Sequence, residues 1–443
     1  MGEVGSLLAP SPEDLGALKS ELMRGLSGDL FVSHMQAGIE RAAELCEALS
    51  RTFDVVVANP PYMGSSSFNP FMSKWMKANY PDSCKDLCTA FIERQLSLTK
   101  KGGMASLVTS DTCMYLSSFE GLRNKIIDNN TIVSLIDTRG SNAHPDVFDA
   151  NTGWVLRHGH TKNFSGSYFK LNQKIGEKDA ALAEAIQNPD CGWFYRADAS
   201  TFHDIPGSPI AYWASEASRR AFLEGTPLSK IEPPRQGLAT SDNNRFLRKW
   251  WESPLSNISF SSVSRADAQL SGKRWFPIIR GGDFRKWYGN LSEVVNWSND
   301  GAEMKSAVMK KYPYLNNPNF VIKNPNFYFL PAISWSKISS GSIAFRYEPS
   351  GMLFEVAGPC IFAKRDSLPY LLGLANSSSI LSIASMLSPT LNFEVGQIAT
   401  YPVISSTERL ETVNNLVNKA CSLSRNDWDT QETSWDFKRS PLV

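Results

Sequence analysis

The 443-residue chain contains no run of about 18 apolar residues, so no helix long and apolar enough to cross a membrane is expected. Its first residues, MGEVGSLLAPSPEDL, lack the basic stretch followed by an apolar one that marks a secretory signal. Cysteine is sparse and unpatterned. The seven, Cys46, Cys84, Cys88, Cys113, Cys191, Cys360 and Cys421, are odd in number and include no C-x-x-C pair, which argues against a disulfide framework. Cys84 and Cys88 lie one helical turn apart without a second pair to complete a metal site, and the five His form no ligand pattern. Reduced thiols in a cytoplasmic protein, with no metal and no membrane partner, are the expectation. An excess of one charge is missing too, since 45 Lys and Arg against 44 Asp and Glu leave +1. A nucleic-acid partner is not announced by bulk charge and would need its cations gathered on one face.

What is present is ordinary globular composition, 42% hydrophobic and 20% charged, with 12 Trp. The length suits about two to four domains. SPED at 11–14 is a capping box with Pro at the first helical position, and predicts a helix to about Arg24. A second helix starts near Ser33, where Met35, Ile39, Ala42, Ala43, Cys46 and Leu49 recur at helical spacing. The short apolar run at 53–57 predicts a strand buried on both faces. Residues 83–100 predict a helix with Leu87, Phe91, Ile92 and Leu96 inward and Gly102-Gly103 as its stop. MASLVTS (104–110) and TIVSLID (131–137) are strands, with a capping-box helix opened by SSFE (117–120) between them. TGWVLRH (152–158) and SYFKLN (167–172) form a hairpin in this reading. Alternation of strand and helix means a parallel sheet with helices on its faces, and the hairpin adds an antiparallel edge.

From about residue 200 turn signals crowd together (IPGSP, GTP, EPPR, KNPN, EPSG), and aromatics mix with arginines in RFLRKWWE and RGGDFRKWYGN. This predicts an irregular α+β domain, then a final helix from about Thr407 to Leu423 and a polar tail. GLATSDN (237–243) lacks phosphate-loop spacing and is read as a structural turn. No internal repeat is evident.

The stretch that carries chemistry is FDVVVANPPYMG, 53–64. Open α/β sheets place ligands at the carboxyl ends of their strands. The prolines fix φ and remove two donors, leaving the carbonyl of Pro60 to accept beside the amide oxygen of Asn59. Two neighbouring acceptors hold an exocyclic amino group by both hydrogens, and the ring of Tyr62 can stack on a planar base. An amino nitrogen so held can turn its lone pair out of conjugation toward an electrophile, with no metal, thiol or strong base. The plain alternative is a strand-ending turn with two prolines.

Asn-Pro-Pro-Tyr after a strand is similar to motif IV of the amino methyltransferases that act on DNA, in the form typical of adenine enzymes. The likeness continues through NYPDSCKDLCTAFIERQLSLTKKGGMASLVTSDTCMYLSSFEGLR, IPGSPIAYW, GLATSDNNRFLRKWWE, KWYGN, PTLNFEVGQIATYPV and WDTQETSWDFKRSPL. Over nearly its whole length, in order, the chain resembles the PglX family of BREX phage-defence adenine methyltransferases. The resemblance implies an α/β fold: a partial Rossmann-like class I methyltransferase sheet at 1–175, an α+β target-recognition-like domain at 176–404, and a C-terminal helix and tail at 405–443. It implies S-adenosylmethionine as methyl donor, and double-stranded DNA with a flipped adenine as substrate, in phage defence or restriction-modification. Other phage-defence proteins are implied partners.

Carried onto this sequence, Asn59, Pro60, Pro61 and Tyr62 are the catalytic residues, and Asn59 and Asp86 face the cofactor. An acid at Asp86 is equally explained by the helix macrodipole. Trp154 would stack with Tyr62 on the extruded base, or simply pack in the core. Arg245, Arg248, Arg280, Arg285 and Lys286, with Trp250, Trp251 and Trp287 among them, are the candidate DNA contacts of the second domain. For any one of them a solvated surface with Trp in the core serves as well.

The family's chain is longer. Its cofactor half has an early strand, a loop of the F-x-G-x-G kind and an acid ending the next strand, a pattern not found before Phe53. The strand at 53–57 is then expected to leave an apolar parallel edge. Three arrangements follow from that. A partner chain supplies the cofactor half, or the chain is a fragment, or the helix at 33–50 covers the edge of a non-catalytic DNA-binding specificity subunit. A nuclease-linked fragment is disfavoured by the lack of a P-D…(D/E)-x-K pattern in a strand.

Overall fold

The computed structural model describes residues 4–11, 13–17, 20, 30–138, 151–172, 178–339, 341–388, 392–406 and 408–440. Ser11 and Asp14 form the predicted cap, Ser11 N donating to Asp14 Oδ2 at 2.9 Å and Asp14 N to Ser11 Oγ at 3.1 Å. Residues 13–17 and 20 are helical, and the rest of that helix lies outside the described residues. The chain divides into two units, Met1–Ala214 and Ser215–Val443. The first therefore runs past residue 175, because the strand at Phe194–Asp198 completes its sheet.

In the first unit, α1 (Leu30–Ser50) precedes β1 (Phe53–Ala58). Then come α2 (Pro70–Asn79), α3 (Leu87–Leu98), β2 (Thr99–Ser110), α4 (Glu120–Asn129) and β3 (Asn130–Asp137). β4 (Asn151–His158), β5 (Ser165–Lys170), α5 (Lys178–Gln187) and β6 (Phe194–Asp198) finish it. The six strands form one sheet in the order β1-β2-β4-β3-β5-β6. β1, β2, β3 and β5 share a direction, while β4 and β6 oppose them.

Three expectations change. β4 and β5 are not a hairpin, since they lie on either side of β3. The link between them crosses the start of β3, where Thr131 Oγ1 donates to Gly159 O at 2.7 Å and accepts from Thr161 N at 2.9 Å. Gly102 and Gly103 do not stop a helix, because α3 ends at Leu98 and both glycines lie inside β2. A Cβ on Gly103 would sit 2.6 Å from Asp54 O of the neighbouring strand, so glycine permits the close β1–β2 approach. β1 is not buried on both faces. Among the described residues it is an edge strand paired with β2 alone, and Val55 is 62% and Val57 72% exposed, so α1 leaves these side chains open.

The other face of the sheet holds the core. Ile92 and Leu96 of α3 and Leu122, Ile126 and Ile127 of α4 pack on Ala105, Leu107, Leu135, Trp154, Leu156 and Tyr168. Buried Arg94 ties three segments together, donating Nε to Ser6 O at 3.0 Å and Nη2 to Leu49 O at 2.6 Å.

The second unit has short strands, as its turn density predicts. β7 (Leu247–Lys249), β8 (Trp275–Ile279) and β9 (Glu293–Asn296) are followed by α6 (Ser298–Lys311). β10 (Ala332–Trp335), β11 (Phe345–Glu348), β12 (Leu353–Phe354) and β13 (Cys360–Ile361) come next, then α7 (Leu368–Ala375) and α8 (Leu410–Trp428). One sheet runs β12-β8-β9-β7 and another β11-β10-β13. Phe246, Phe276, Trp297, Phe329, Leu353 and Phe354 form the heart of the core. The last helix begins at Leu410 and continues to Trp428, five residues beyond Leu423, because buried Val417 and Trp428 extend its inner face.

Candidate active site

β1, β2 and β3 run in one direction, so their carboxyl ends meet at one margin of the sheet. Asn59, the first residue after β1, lies on that margin, where a parallel sheet opens a ligand crevice. The backbone following the motif is fastened to the approach to α3. Leu87 N donates to Met63 O at 3.0 Å, Ser65 N donates to Lys85 O at 2.8 Å, and Gly64 bridges Asp86. Asn69 caps α2 by accepting from Met72 N at 2.7 Å, and Asp86 caps α3 by accepting from Cys88 N at 3.0 Å. The loop is thus held at both ends by helix caps, and Asp86 stands beside the motif for a local backbone reason.

Within the motif Pro60 is buried, whereas Asn59, Pro61 and Tyr62 are exposed. The Tyr62 hydroxyl donates a long 3.4 Å bond to Asn59 Oδ1, which places the ring beside the amide oxygen. Partial burial, with Cys88 and Asp86 nearby, pushes the phenol up to about 12, so the ring stays uncharged at neutral pH. Burial also raises the Cys88 thiol, which accepts from Ser110 N at 3.4 Å, and removes it as a nucleophile. What remains is an accessible amide acceptor, a neutral aromatic ring and a rigid proline backbone.

Trp154 is placed otherwise. It is 1% exposed on central strand β4, and its Nε1 donates to Thr109 Oγ1 at 2.9 Å. It packs in the core, because the sheet face it shares with Leu135 and Leu156 is the one that α3 and α4 cover.

The five cations singled out in the second unit are all engaged internally. Arg245 pairs with Glu303 at 2.8 Å, and Arg248 Nη1 donates to the carbonyls of Asn244 and Leu247 at 2.6 Å each. Arg280 pairs with Glu293 at 2.5 Å and with Glu355. Arg285 pairs with Asp427 at 3.1 Å and lies over the Trp428 ring, while Lys286 Nζ donates to Asn376 O at 3.3 Å. Arg280, just after inner strand β8, clamps it to Glu293 of β9 and to Glu355 just after β12. Of the tryptophans among them, Trp250 donates to Thr433 O and only Trp251, 48% exposed, shows much of its ring.

Sequence reasoning missed Arg123. It is 1% exposed, and it ties the loop after β2 to residues 207–208 through the carbonyls of Cys113, Leu116, Gly207 and Ser208. Only its position on the inward face of a predicted helix, where a cation is unexpected, signalled it.

Residues 27–144 match the family model of the Eco57I restriction-modification methylase. Among solved structures, the fold is similar to the Type IIL restriction-modification enzyme MmeI in complex with DNA. The TM-score is 0.58 at 12% identity, over 90% of this chain and 53% of that one. It is also similar to a nuclease-deletion mutant of the Type ISP enzyme LlaGI with a DNA substrate mimic, at TM-score 0.51 and 10% identity over 93% and 44%. These structural likenesses show an α/β fold of mixed sheets. Two curated relatives sharpen this. The adenine-specific methyltransferase PglX of Lacticaseibacillus casei (strain Zhang) is 36% identical over 90% of this chain and 33% of its own length. The adenine-specific methyltransferase BrxX of Escherichia coli O9:H4 (strain HS) is 32% identical over 99% and 35%. The chain is homologous, over nearly all of its own length, to the PglX and BrxX adenine-specific methyltransferases. It spans about a third of the length of these relatives.

Proposed function

We propose that this chain is the catalytic and target-recognition portion of an adenine-specific DNA methyltransferase. Its fold is then a partial Rossmann-like methyltransferase sheet followed by a recognition-like unit. It would act in the cytoplasm, alongside other phage-defence proteins. The observation that carries the reading is the Asn59 amide oxygen, accessible at the carboxyl margin of β1 with the neutral Tyr62 hydroxyl 3.4 Å away. A flipped adenine displaces the weak Tyr62 contact and offers its amino hydrogens to Asn59 Oδ1 and Pro60 O. The ring of Tyr62 stacks on the base. Held this way, the amino nitrogen presents its lone pair and afterwards releases one proton to water. S-adenosylmethionine supplies the electrophilic methyl group, and Asn59 and Asp86 are the residues on this margin that face it. The fit is partial, because these two residues give polar contacts but no cradle for a nucleoside. The open edge of β1 supports docking of a cofactor-binding half from another segment or a partner chain.

The test is transfer of a tritiated methyl group to DNA, by this chain alone and with candidate partners, alongside a cofactor titration. Asn59→Ala should abolish transfer while leaving DNA binding within about twofold. Equal loss of both sinks the assigned role.

A further inference from the structure

A stretch of the second unit outside the sequence-derived site, NPNFVIKNPNF at 317–327, contains the same tetrapeptide twice, seven residues apart. Both copies close into a short 3-10 turn, entered from extended backbone at Asn317 and from a left-handed residue at Asn324. Asn317 and Asn324 precede single 3-10 turns, Pro318–Phe320 and Pro325–Phe327, each with Pro at its start. Their first asparagines are committed to the backbone: Asn317 Oδ1 accepts from Asn319 N at 2.8 Å, and Asn324 Nδ2 donates to Gln236 O at 2.9 Å. Their second asparagines, Asn319 and Asn326, occupy matching turn positions and are exposed. Neither makes a side-chain hydrogen bond among the described residues.

The two turns, with Arg265 and Lys305, wall a cleft of about 510 Å³. Arg265 Nε donates to Asp300 Oδ1 at 2.8 Å, and Lys305 Nζ to Asp300 Oδ2 at 2.6 Å. One carboxylate thus serves two cations, and one positive charge is left over on the cleft wall. Asp300 is held there by three successive left-handed residues, Asn299, Asp300 and Gly301, with φ of 50°, 56° and 73°. Such a run is costly for L-residues and is sustained by its surroundings. Close by in sequence, Phe320 is 66% and Tyr314 77% exposed, a pair of aromatic rings open to solvent.

We propose that this cleft is a base-reading contact for double-stranded DNA, resting on the reading of the chain as a portion of a DNA methyltransferase. Each amide offers a donor and an acceptor in the fixed spacing that matches the N6 and N7 edge of adenine. The surplus cation neutralises a neighbouring phosphate and sets the register. A duplicated turn presents two such amides from one rigid wall, which suits reading two base positions.

The experiment compares the wild-type chain with Asn319→Ala/Asn326→Ala and Lys305→Gln. Selection from a randomised duplex library reads sequence preference. Anisotropy of a fluorescein-labelled mixed-sequence duplex across a salt series reads non-specific binding. The double variant should lose tenfold or more of the wild-type enrichment while its mixed-sequence affinity stays within twofold. Lys305→Gln should flatten the log–log salt slope by about one. The asparagine side chains are exposed and make no bonds, so unfolding curves should match wild type. Wild-type enrichment and slope in both variants would overturn the inference and leave the functional reading standing. Wild-type binding without sequence preference would also overturn it. Absence of any DNA binding by the wild-type chain would overturn both.

Discussion

Arg123 lies on the inward face of α4 with its guanidinium aimed at four backbone carbonyls and, among the described residues, no carboxylate in direct contact. Burial lowers its pKa to about 10, which still leaves it charged at neutral pH. Arg123→Met would keep much of the volume but strip those carbonyls of their partner, at a cost on the order of 3 kcal/mol. Chemical denaturation should show it, and a change below about 1 kcal/mol would mean that water replaces the guanidinium. Glu348 presents the opposite imbalance. Glu348 and Arg346 are each 1% exposed and 3.7 Å apart, and Ser334 Oγ donates to Glu348 Oε1, while among the described residues Glu348 Oε2 and Arg346 Nη2 have no hydrogen-bond partner. Burial outweighs the attraction and raises the carboxyl from 4.5 to about 7. The folded state therefore binds this proton more tightly than the unfolded chain does. The group's contribution to stability is full below about pH 4.5 and is lost as pH rises toward 7. Melting temperatures from pH 5 to 7.5 should fall more steeply for wild type than for Glu348→Gln, and parallel curves would refute the assignment. Arg123 left only the trace of a cation on an inward helix face and Glu348 left none, because burial by the whole fold sets the behaviour of each. The adjacency of Asn59 and Tyr62 was legible because it is local to four residues.

Elements were legible where periodicity alone decides them, and misread where neighbours do. The strands at 104–110 and 131–137 emerged as expected, but pairing did not. An apolar run such as TIVSLID accepts a partner on either edge, and only the crossing link pinned by Thr131 sends β4 and β5 to opposite sides. Gly102-Gly103 looked like a helix stop because glycine serves both turns and close strand contacts, and only the approach of Asp54 O selects the second use. β1 was read half right. The open parallel edge expected at 53–57 is there, but its run of valines implied burial on both faces, and Val55 is 62% exposed. An apolar strand edge of this kind templates association. The chain should self-associate with concentration in sedimentation velocity, and Val55→Lys should suppress this. Because Val55 touches little, the substitution should shift stability by no more than about 0.5 kcal/mol. Unchanged association in the variant would move the contact elsewhere.

Across the whole chain, 45 basic side chains face 44 acidic ones, so attraction to DNA cannot come from net charge. It must come from cations whose local partners leave them in excess. If all five cations chosen from sequence met phosphates, log affinity would fall against log salt with a slope of about −4.5. The structure argues for less. Arg280 sits between Glu293 and Glu355, Arg245 is held by Glu303, and Arg285 by Asp427. Releasing Arg280 to a phosphate strands buried Glu355, which offsets the gain, while Glu293 keeps Lys249 and Glu303 keeps Arg274. Arg280→Gln should therefore lower stability while leaving the salt slope of a mixed-sequence duplex unchanged between 50 and 200 mM. The wild-type slope should be visibly shallower than −4.5. A slope that steep, reduced by about one in Arg280→Gln, would show that the ion pairs open on DNA and that the cations picked from sequence are the contacts after all.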